Sequence, residues 1–238
     1  MRLQCIIALL TLVTVSYVTG AEQNKHLFIL SGQSNMLRLN PATSFTPAVE
    51  SAFGTDHVIV VKDAEGGQSI QRWYKKWKLP AYRSGDLYDR LMAKVNEAIK
   101  DKQLATITVV WMQGESDATT KNAPVYAASL QGLLDQFRTD LGRKDINFVI
   151  GRINDYQSDQ EWEMVRKAQV EVAEANPHTT WINTDDLNEG KKDANGQKIK
   201  SDLHYSIPGY KLLGQRFADS AIKLITRKPN KPDASDGK

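Results

Sequence analysis

Cysteine is nearly absent from this sequence, and the single one, Cys5, lies in an N-terminal segment that we predict to be removed. The chain that remains has no thiol, which excludes disulfide bonds, cysteine-ligated metal sites and a cysteine nucleophile. The stability of an exported form must therefore come from its packed core rather than from covalent cross-links.

Long hydrophobic runs are also scarce. The first, residues 6–13, follows the positive charge of Arg2 and precedes small residues that end at Gly20. This order is typical of a secretory signal peptide, and we predict that residues 1–20 are removed. A membrane anchor is the alternative, but the run is short for a bilayer span of about 20 residues. We expect a secreted or periplasmic protein with no stable membrane insertion after signal removal.

Charge of one sign is not in excess either. The formal net charge is +3, and no basic block precedes the lysine-rich end of the chain, so no nucleic-acid partner is expected. With 41% hydrophobic and 25% charged residues among 238, the composition is that of an ordinary globular protein. We predict one domain over residues 21–226 and a disordered polar tail over residues 227–238.

Short apolar runs alternate with longer amphipathic patterns along this domain. The short runs predict strands at 26–30, 57–61, 105–112, 146–150 and 179–183. Apolar residues at helical spacing predict helices at 86–99, 126–141, 161–175 and 210–225. Strands that alternate with helices in this way predict an α/β fold with a five-stranded parallel sheet that is buried on both faces.

Polar residues and glycines follow the first three predicted strands, and such sheets place their chemistry at the carboxyl ends of the strands. Ser34 follows the first strand and is a candidate nucleophile. Gly66 and Gly67 follow the second and allow a ligand to approach the backbone. Gln113 follows the third as a candidate oxyanion donor, and Glu115 or Asp117 is a candidate histidine partner there. Taken singly, each segment is also typical of a turn or a helix N-cap.

One of the four histidines stands where it can meet Ser34. His26, His57 and His178 lie at or just before the start of a strand, which is the opposite end of the sheet. His204 lies in a loop ahead of the last helix, beside a carboxylate, and is therefore the candidate general base. A serine hydroxyl needs such a base because it is weakly nucleophilic on its own.

Aromatic and basic residues cluster in residues 71–77, after the glycine pair. We hypothesise that Arg72 and Trp73 bind the substrate, because such side chains stack on sugar rings or meet acidic glycans. The alternative is that Trp73 and Trp77, at helical spacing, pack under a loop or a short helix.

Four segments, in this order, resemble those of the SGNH-hydrolase superfamily. More narrowly, they resemble the sialate O-acetylesterase-like group and carbohydrate esterase family 6, which includes acetylxylan esterases. The matching segments are GQSNM at 32–36, GGQSI at 66–70 with Trp73, WMQGESD at 111–117, and LHYS at 203–206 with Gly209. The resemblance extends from about Leu27 to Ala218, and the GQSNM and QGESD blocks are its most specific parts.

This resemblance implies a flavodoxin-like three-layer α/β/α sandwich without a metal or an organic cofactor. It implies that Ser34 is the nucleophile and that His204 is the base. It also implies an oxyanion hole made by the backbone N–H groups of Ser34 and Gly67, or its neighbour Gly66, together with the side chain of Gln113.

The acid of the catalytic triad is left open by the resemblance. The superfamily usually has an aspartate three residues before the histidine, where this sequence has Ser201, with Asp202 one residue later. In the family 6-like group, the glutamate that matches Glu115 also has the acid role. We favour Glu115 over Asp202, and a Ser–His dyad with weak carboxylate support is the third alternative.

Together, these segments predict a secreted serine esterase that removes acetyl or other short acyl groups from carbohydrate. The expected partner is an acetylated carbohydrate, with xylan and sialic acid not distinguished. One alternative is a lipase or thioesterase on the same scaffold, although the sequence has no apolar, lid-like insertion. Another is a non-catalytic glycan-binding module, which would not require Ser34 and His204 together.

Overall fold

The structure is a computed structural model that describes residues 24–77, 83–188, 192, 194–197 and 202–227. The predicted signal peptide and the predicted tail beyond Arg227 lie outside these residues. Within the described ranges, five strands and seven α-helices alternate along the chain. No helix in these ranges is both long and apolar enough to cross a bilayer.

The helices and strands lie close to where the sequence predicts them. The strands, β1 to β5, are Lys25–Gly32, Val58–Ala64, Leu104–Met112, Asn147–Gly151 and Thr179–Ile182. The helices, α1 to α7, are Ser34–Arg38, Phe45–Phe53, Asp86–Ile99, Glu115–Thr119, Ala123–Asp140, Gln160–Glu174 and Ile207–Thr226. Single turns of 3-10 helix lie at Pro41–Thr43, Thr55–His57, Ile70–Arg72 and Asp185–Asn188.

All five strands are parallel, and their order in the sheet is β2-β1-β3-β4-β5. Helices α2 and α7 pack on one face of the sheet, and α3, α5 and α6 pack on the other. Both faces are therefore covered, and residues 27–30 of β1 are fully buried. This is the flavodoxin-like three-layer sandwich that the sequence predicts.

The register of the sheet brings the ends of three strands level with one another. Gly32 at the end of β1 is paired with Ala64 of β2 on one side and with Met112 of β3 on the other. The loops that follow these strands therefore start at the same edge, where the segment ahead of α7 also arrives. This carboxyl edge is where the candidate site residues meet.

Three helices were not predicted from the sequence. Helices α1 and α4 have five residues each, which is too short for a helical period to be visible. Helix α2 has nine residues and contains Pro47 in its first turn, where proline is tolerated. Helix α5 starts earlier than predicted, at Ala123, again with a proline in its first turn.

Candidate active site

Ser34 is the first residue of α1 and stands directly after the end of β1. Gly32 allows the chain to pass close to the backbone of Met112. Its φ is +143°, and a Cβ there would lie 1.9 Å from the carbonyl oxygen of Met112. The N–H of Gln33 donates to that same carbonyl at 2.9 Å. The backbone before Ser34 is therefore fixed against the end of β3.

The imidazole of His204 lies within hydrogen-bonding distance of Ser34, with 3.0 Å between Nε2 and Oγ. The loop before His204 is held by its backbone. The carbonyl of Asp202 accepts hydrogen bonds from the side-chain amides of Asn154, at 2.6 Å, and Asn188, at 2.8 Å. Since these asparagines follow β4 and β5, the histidine is positioned by the far half of the sheet as well as by α7.

The two candidate acids have different partners. The Oδ1 of Asp202 accepts from the backbone N–H of His204 at 3.4 Å. Glu115 is 3% exposed, and its Oε1 accepts a 2.7 Å hydrogen bond from Nδ2 of Asn35. Its Oε2 has no hydrogen-bond partner among the described residues. The Glu115 carboxylate is therefore bound to Asn35, and the choice of Glu115 as the partner of the imidazole stays a prediction.

Burial dominates the electrostatics of the loop after β3. It raises the pKa of Glu115 to about 7 and the pKa of Asp117 to about 6, because the charged form loses its hydration. The hydrogen bonds from Asn35 to Glu115 and from Gln113 to Asp117 oppose these shifts. Within the described residues, no group of three or more His, Cys, Asp or Glu side chains is placed to hold a metal ion.

Gln113 is fully buried, and its Nε2 faces three oxygen acceptors. These are Oε1 of Gln33 at 3.2 Å, the carbonyl of Gln68 at 3.1 Å and Oδ2 of Asp117 at 2.5 Å. Acceptors on all sides identify this end of the amide as the nitrogen. Its N–H groups bond inside the protein here and tie together the loops after β1, β2 and β3, and its role as an oxyanion donor stays a prediction.

The glycine turn after β2 lies against Ser34, the candidate nucleophile. A Cβ on Gly66 would lie 3.9 Å from the Cβ of Ser34, whereas one on Gly67 would meet no atom within 4 Å. Gly67 is exposed and has a φ of +66°, a conformation that favours glycine. The N–H of Ser34 stands at the first position of α1, where a helix supplies no acceptor for it. The glycine turn therefore lies next to Ser34, whose own N–H stands at the start of a helix.

Arg72 and Trp73 have structural partners rather than an open surface. Trp73 is 1% exposed and packs edge to face on Trp111, with 5.3 Å between ring centroids. Arg72 donates to both carboxylate oxygens of Asp86, at 2.5 and 2.7 Å, and to the side chain of Gln68 at 2.7 Å. Trp73 therefore packs in the core and Arg72 connects the glycine turn to α3, and the substrate contacts of these two residues stay a prediction.

A comparison with protein-family models places the chain in one family. Residues 37–223 match the model described as carbohydrate esterase, sialic acid-specific acetylesterase. The chain belongs to this carbohydrate esterase family. Ser34 lies just before the matched range, so its assignment as nucleophile depends on the geometry of the site. No curated protein matches the chain in sequence.

Solved structures share the fold of this esterase at low identity. A protein from Arabidopsis thaliana is 20% identical, with a TM-score of 0.65 and coverage of 84% of this chain and 98% of that one. A carbohydrate acetylesterase from Xanthomonas citri is 16% identical, with a TM-score of 0.65, and the match covers 84% of this chain but 56% of that one. NanS is 12% identical, with a TM-score of 0.58 and coverage of 85% and 98%. At these identities the likeness shows the fold alone.

Several residues that hold the esterase site together were missed by the sequence analysis. Gln33 and Asn35 stand inside the GQSNM block, and that position is the signal that could have found them. No motif marks Asn154, Asn188 or Tyr210. Their contacts are with residues distant in the sequence, so local patterns do not reveal them.

Proposed function

We propose that this carbohydrate esterase removes acetyl or other short acyl groups from carbohydrate hydroxyls through an acyl-enzyme on Ser34. The observation that supports this proposal is the 3.0 Å distance between the Oγ of Ser34 and the Nε2 of His204. At this distance the imidazole can accept the hydroxyl proton while the oxygen attacks the ester.

The reaction has two halves that use the same base. In the first, Oγ of Ser34 attacks the ester carbonyl carbon while its proton moves to Nε2 of His204. The tetrahedral intermediate then expels the sugar oxygen, which takes that proton and leaves as the free hydroxyl. In the second, His204 takes a proton from water as the water attacks the acyl-enzyme, and collapse releases the carboxylic acid and restores Ser34.

Backbone N–H groups supply the oxyanion hole in this proposal. We assign them to Ser34 and to the turn at Gly66 and Gly67, which lies against the nucleophile. Gln113 supports the turn by donating to the carbonyl of Gln68, and Arg72 supports it by donating to the Gln68 side chain. A single well-placed oxyanion donor typically lowers the barrier by about 3 kcal/mol.

Asp202 is the residue we propose as the acid that orients His204. It stands beside the histidine, and its carboxylate reaches the His204 backbone at 3.4 Å, whereas Glu115 is bound to Asn35. A carboxylate in this role fixes the tautomer of the imidazole and stabilises the imidazolium. Asp202→Asn is then expected to lower kcat by as much as about 10⁴-fold.

The first test is hydrolysis of 4-nitrophenyl acetate and butyrate by residues 21–238 and by the Ser34→Ala variant. The proposal expects a rate on acetate that exceeds the rate on butyrate and that is lost in the variant. Equal rates for the two proteins would overturn the serine mechanism and favour the non-catalytic glycan-binding alternative. A preference for long acyl chains would favour a lipase or thioesterase.

The substrate we propose is an O-acetylated glycan. The description of the matching family names sialic acid-specific acetylesterases, and the Xanthomonas citri relative is a carbohydrate acetylesterase. Release of acetate from O-acetyl sialic acid and from acetylxylan, each compared with Ser34→Ala, distinguishes the two glycans. If neither releases acetate while 4-nitrophenyl acetate is cleaved, a different acetylated carbohydrate is the substrate.

Export is also part of the proposal. We propose that residues 1–20 direct the chain to the periplasm or the medium and are then removed. N-terminal sequencing of protein recovered from those fractions is expected to begin at Ala21. A chain that keeps residues 1–20 and stays in the membrane fraction would contradict this part of the proposal.

A further inference from the structure

Asn35, the residue after the nucleophile, is fully buried and uses both ends of its side-chain amide. Its Nδ2 donates to Oε1 of Glu115 at 2.7 Å and to the carbonyl of Leu203 at 3.1 Å. Its Oδ1 accepts from the hydroxyl of Tyr210 at 2.9 Å. The amide therefore links α1 to α4, to the histidine loop and to α7.

The partners also fix which way the amide points. Leu203 and Glu115 offer oxygen acceptors on one side, so this side must be the nitrogen. Burial raises the pKa of Tyr210, so its phenol stays protonated and acts as the donor on the other side. The Tyr210 ring packs edge to face on Tyr205, at 5.5 Å between centroids, which holds the hydroxyl in place.

Leu203 immediately precedes His204, so any displacement of its carbonyl moves the base. We propose that Tyr210 and Glu115 are positioning residues that orient Asn35, and that Asn35 holds the Leu203 carbonyl so that His204 stays in reach of Ser34. This inference rests on the proposed function, because it assigns the geometry of that same nucleophile and base.

The physical reason is that Ser34 and His204 are brought together from opposite ends of the chain. Neither the sheet nor α7 alone fixes the distance between Oγ and Nε2. A hydrogen-bonded amide that follows the nucleophile and contacts the residue before the base fixes it directly. Small displacements of a catalytic group lower the rate strongly, and a displacement of about 1 Å lowers it by about 10²-fold.

Tyr210→Phe is the sharpest test, because it removes one hydroxyl and keeps the ring on Tyr205. With 4-nitrophenyl acetate, we expect kcat to fall about tenfold while KM stays within about twofold. Tyr88→Phe is the matched control: Tyr88 is a buried tyrosine that packs on Phe137 between α3 and α5, and its variant is expected to keep the wild-type kcat. A Tyr210→Phe variant with the kcat of the control would overturn the inference.

A second comparison separates positioning from general loosening of the fold. If Tyr210 acts through Asn35, then Tyr210→Phe has no further effect on kcat in an Asn35→Ala background. If the two substitutions lowered kcat by factors that simply multiply in the double variant, the link through Asn35 would be overturned. Should Asn35→Ala not fold, the kcat and KM of Tyr210→Phe still decide the question.

Glu115→Gln separates positioning from the triad-acid role. Glutamine keeps an oxygen that can accept from Asn35 and loses only the charge. A positioning role predicts a loss of kcat of about tenfold or less, whereas a triad acid predicts about 10⁴-fold, and a loss of that size would overturn the positioning role of Glu115.

Ser34→Ala, measured in the same assay, keeps the inference distinct from the proposed function. Activity that survives in Ser34→Ala overturns the proposed mechanism and the inference with it. Activity that depends on Ser34 but not on Tyr210 overturns the inference alone.

Discussion

At the scale of single residues, Glu115 shows what burial does to a carboxyl group. Its pKa is raised from an ordinary value of 4.5 to about 7, so between these values the folded state binds a proton more readily than the unfolded chain does. The stability that this proton supplies is fully present below pH 4.5 and is lost as pH rises through 7.

Glu115→Gln should therefore remove a pH dependence rather than a constant amount of stability. We expect the free energy of unfolding of the variant, relative to wild type, to increase between pH 5 and pH 8 by on the order of 3 kcal/mol. Urea unfolding at several pH values measures this difference. Glu163→Gln, at a side chain that is 57% exposed, is the control that should show no such trend. If the free energies of unfolding of wild type and Glu115→Gln changed with pH in parallel, the effect of burial on the pKa of Glu115 would be contradicted.

Gly32 is the second residue whose environment predicts a large effect. In Gly32→Ala the new Cβ would overlap the carbonyl oxygen of Met112, and the φ of +143° is unsuited to alanine. We expect a loss of about 4 kcal/mol or more, or a failure to fold. Gly142→Ala is the control, because Gly142 has a φ of +64° but open space around it, and it should lose only about 1 kcal/mol. Similar thermal midpoints for the two variants would show that the close contact does not matter.

At the scale of elements, the start of α7 connects helix capping to the site. The Oγ of Ser206 accepts from the N–H of Gly209 at 3.1 Å and donates to the carbonyl of Leu187 at 3.2 Å. The N-cap therefore fixes the chain that leaves His204 both to its own helix and to the 3-10 turn after β5.

Ser206→Ala is expected to lower stability by about 1 kcal/mol and also to lower kcat. Asp159→Ala is the matched control, because the Asp159 side chain caps α6 through the N–H of Trp162 at 3.0 Å, at a helix that does not follow His204. It should lose similar stability with no change in kcat. Urea unfolding and 4-nitrophenyl acetate kinetics on both variants measure this, and equal kinetics would argue against a role for the cap in the site.

The strands and long helices could be predicted because apolar residues occur in the sequence as short runs or at regular helical spacing. All five strands and the four long helices follow from such patterns, and their boundaries differ from the prediction by a few residues. The shorter helices α1 and α4 could not be predicted in this way, although both carry site residues. The Oε1 of Gln33, just before α1, accepts from Nε2 of Gln113 and from the N–H of Ser116 in α4, so these helices have contacts across the sheet edge that no local pattern reveals.

The site was predictable only in part for the same reason. Ser34 and His204 could be chosen because both lie at the carboxyl end of the sheet, and the structure brings them together. The partners of Arg72, Trp73 and Gln113 could not be chosen so, because an aromatic, basic or amide side chain suits a sugar, an oxyanion or a protein neighbour equally well. In the structure, Trp73 and Gln113 are buried and Arg72 bonds Asp86 and Gln68.

At the scale of the whole molecule, the absence of cysteine after residue 5 leaves stability to the two covered faces of the sheet. We expect the thermal midpoint of residues 21–238 to be the same with and without dithiothreitol. A midpoint that falls in reductant would contradict this expectation. The chain that keeps Cys5 is the useful comparison, since only that form can make an intermolecular disulfide.

The strand order also explains where the chemistry lies in the molecule. After β1 the chain continues to β2 on one side of it, and after β3 the chain continues to β4 on the opposite side. The loops after the neighbouring strands β1 and β3 therefore lead in opposite directions and leave a crevice between them. Such a crevice is the usual ligand site in open α/β sheets. Ser34 follows the first of these strands, and the carboxylates of Glu115 and Asp117 follow the second.

The loop before His204 is held through its backbone carbonyls. The side-chain amides of Asn154 and Asn188 donate to the carbonyl of residue 202, and that of Asn35 donates to the carbonyl of residue 203. Every amino acid supplies a carbonyl. These three hydrogen bonds therefore do not depend on the side chains at 202 and 203, but they do depend on the three asparagines. A substitution at one of these asparagines would therefore disturb the loop while the sequence of the loop itself stayed intact.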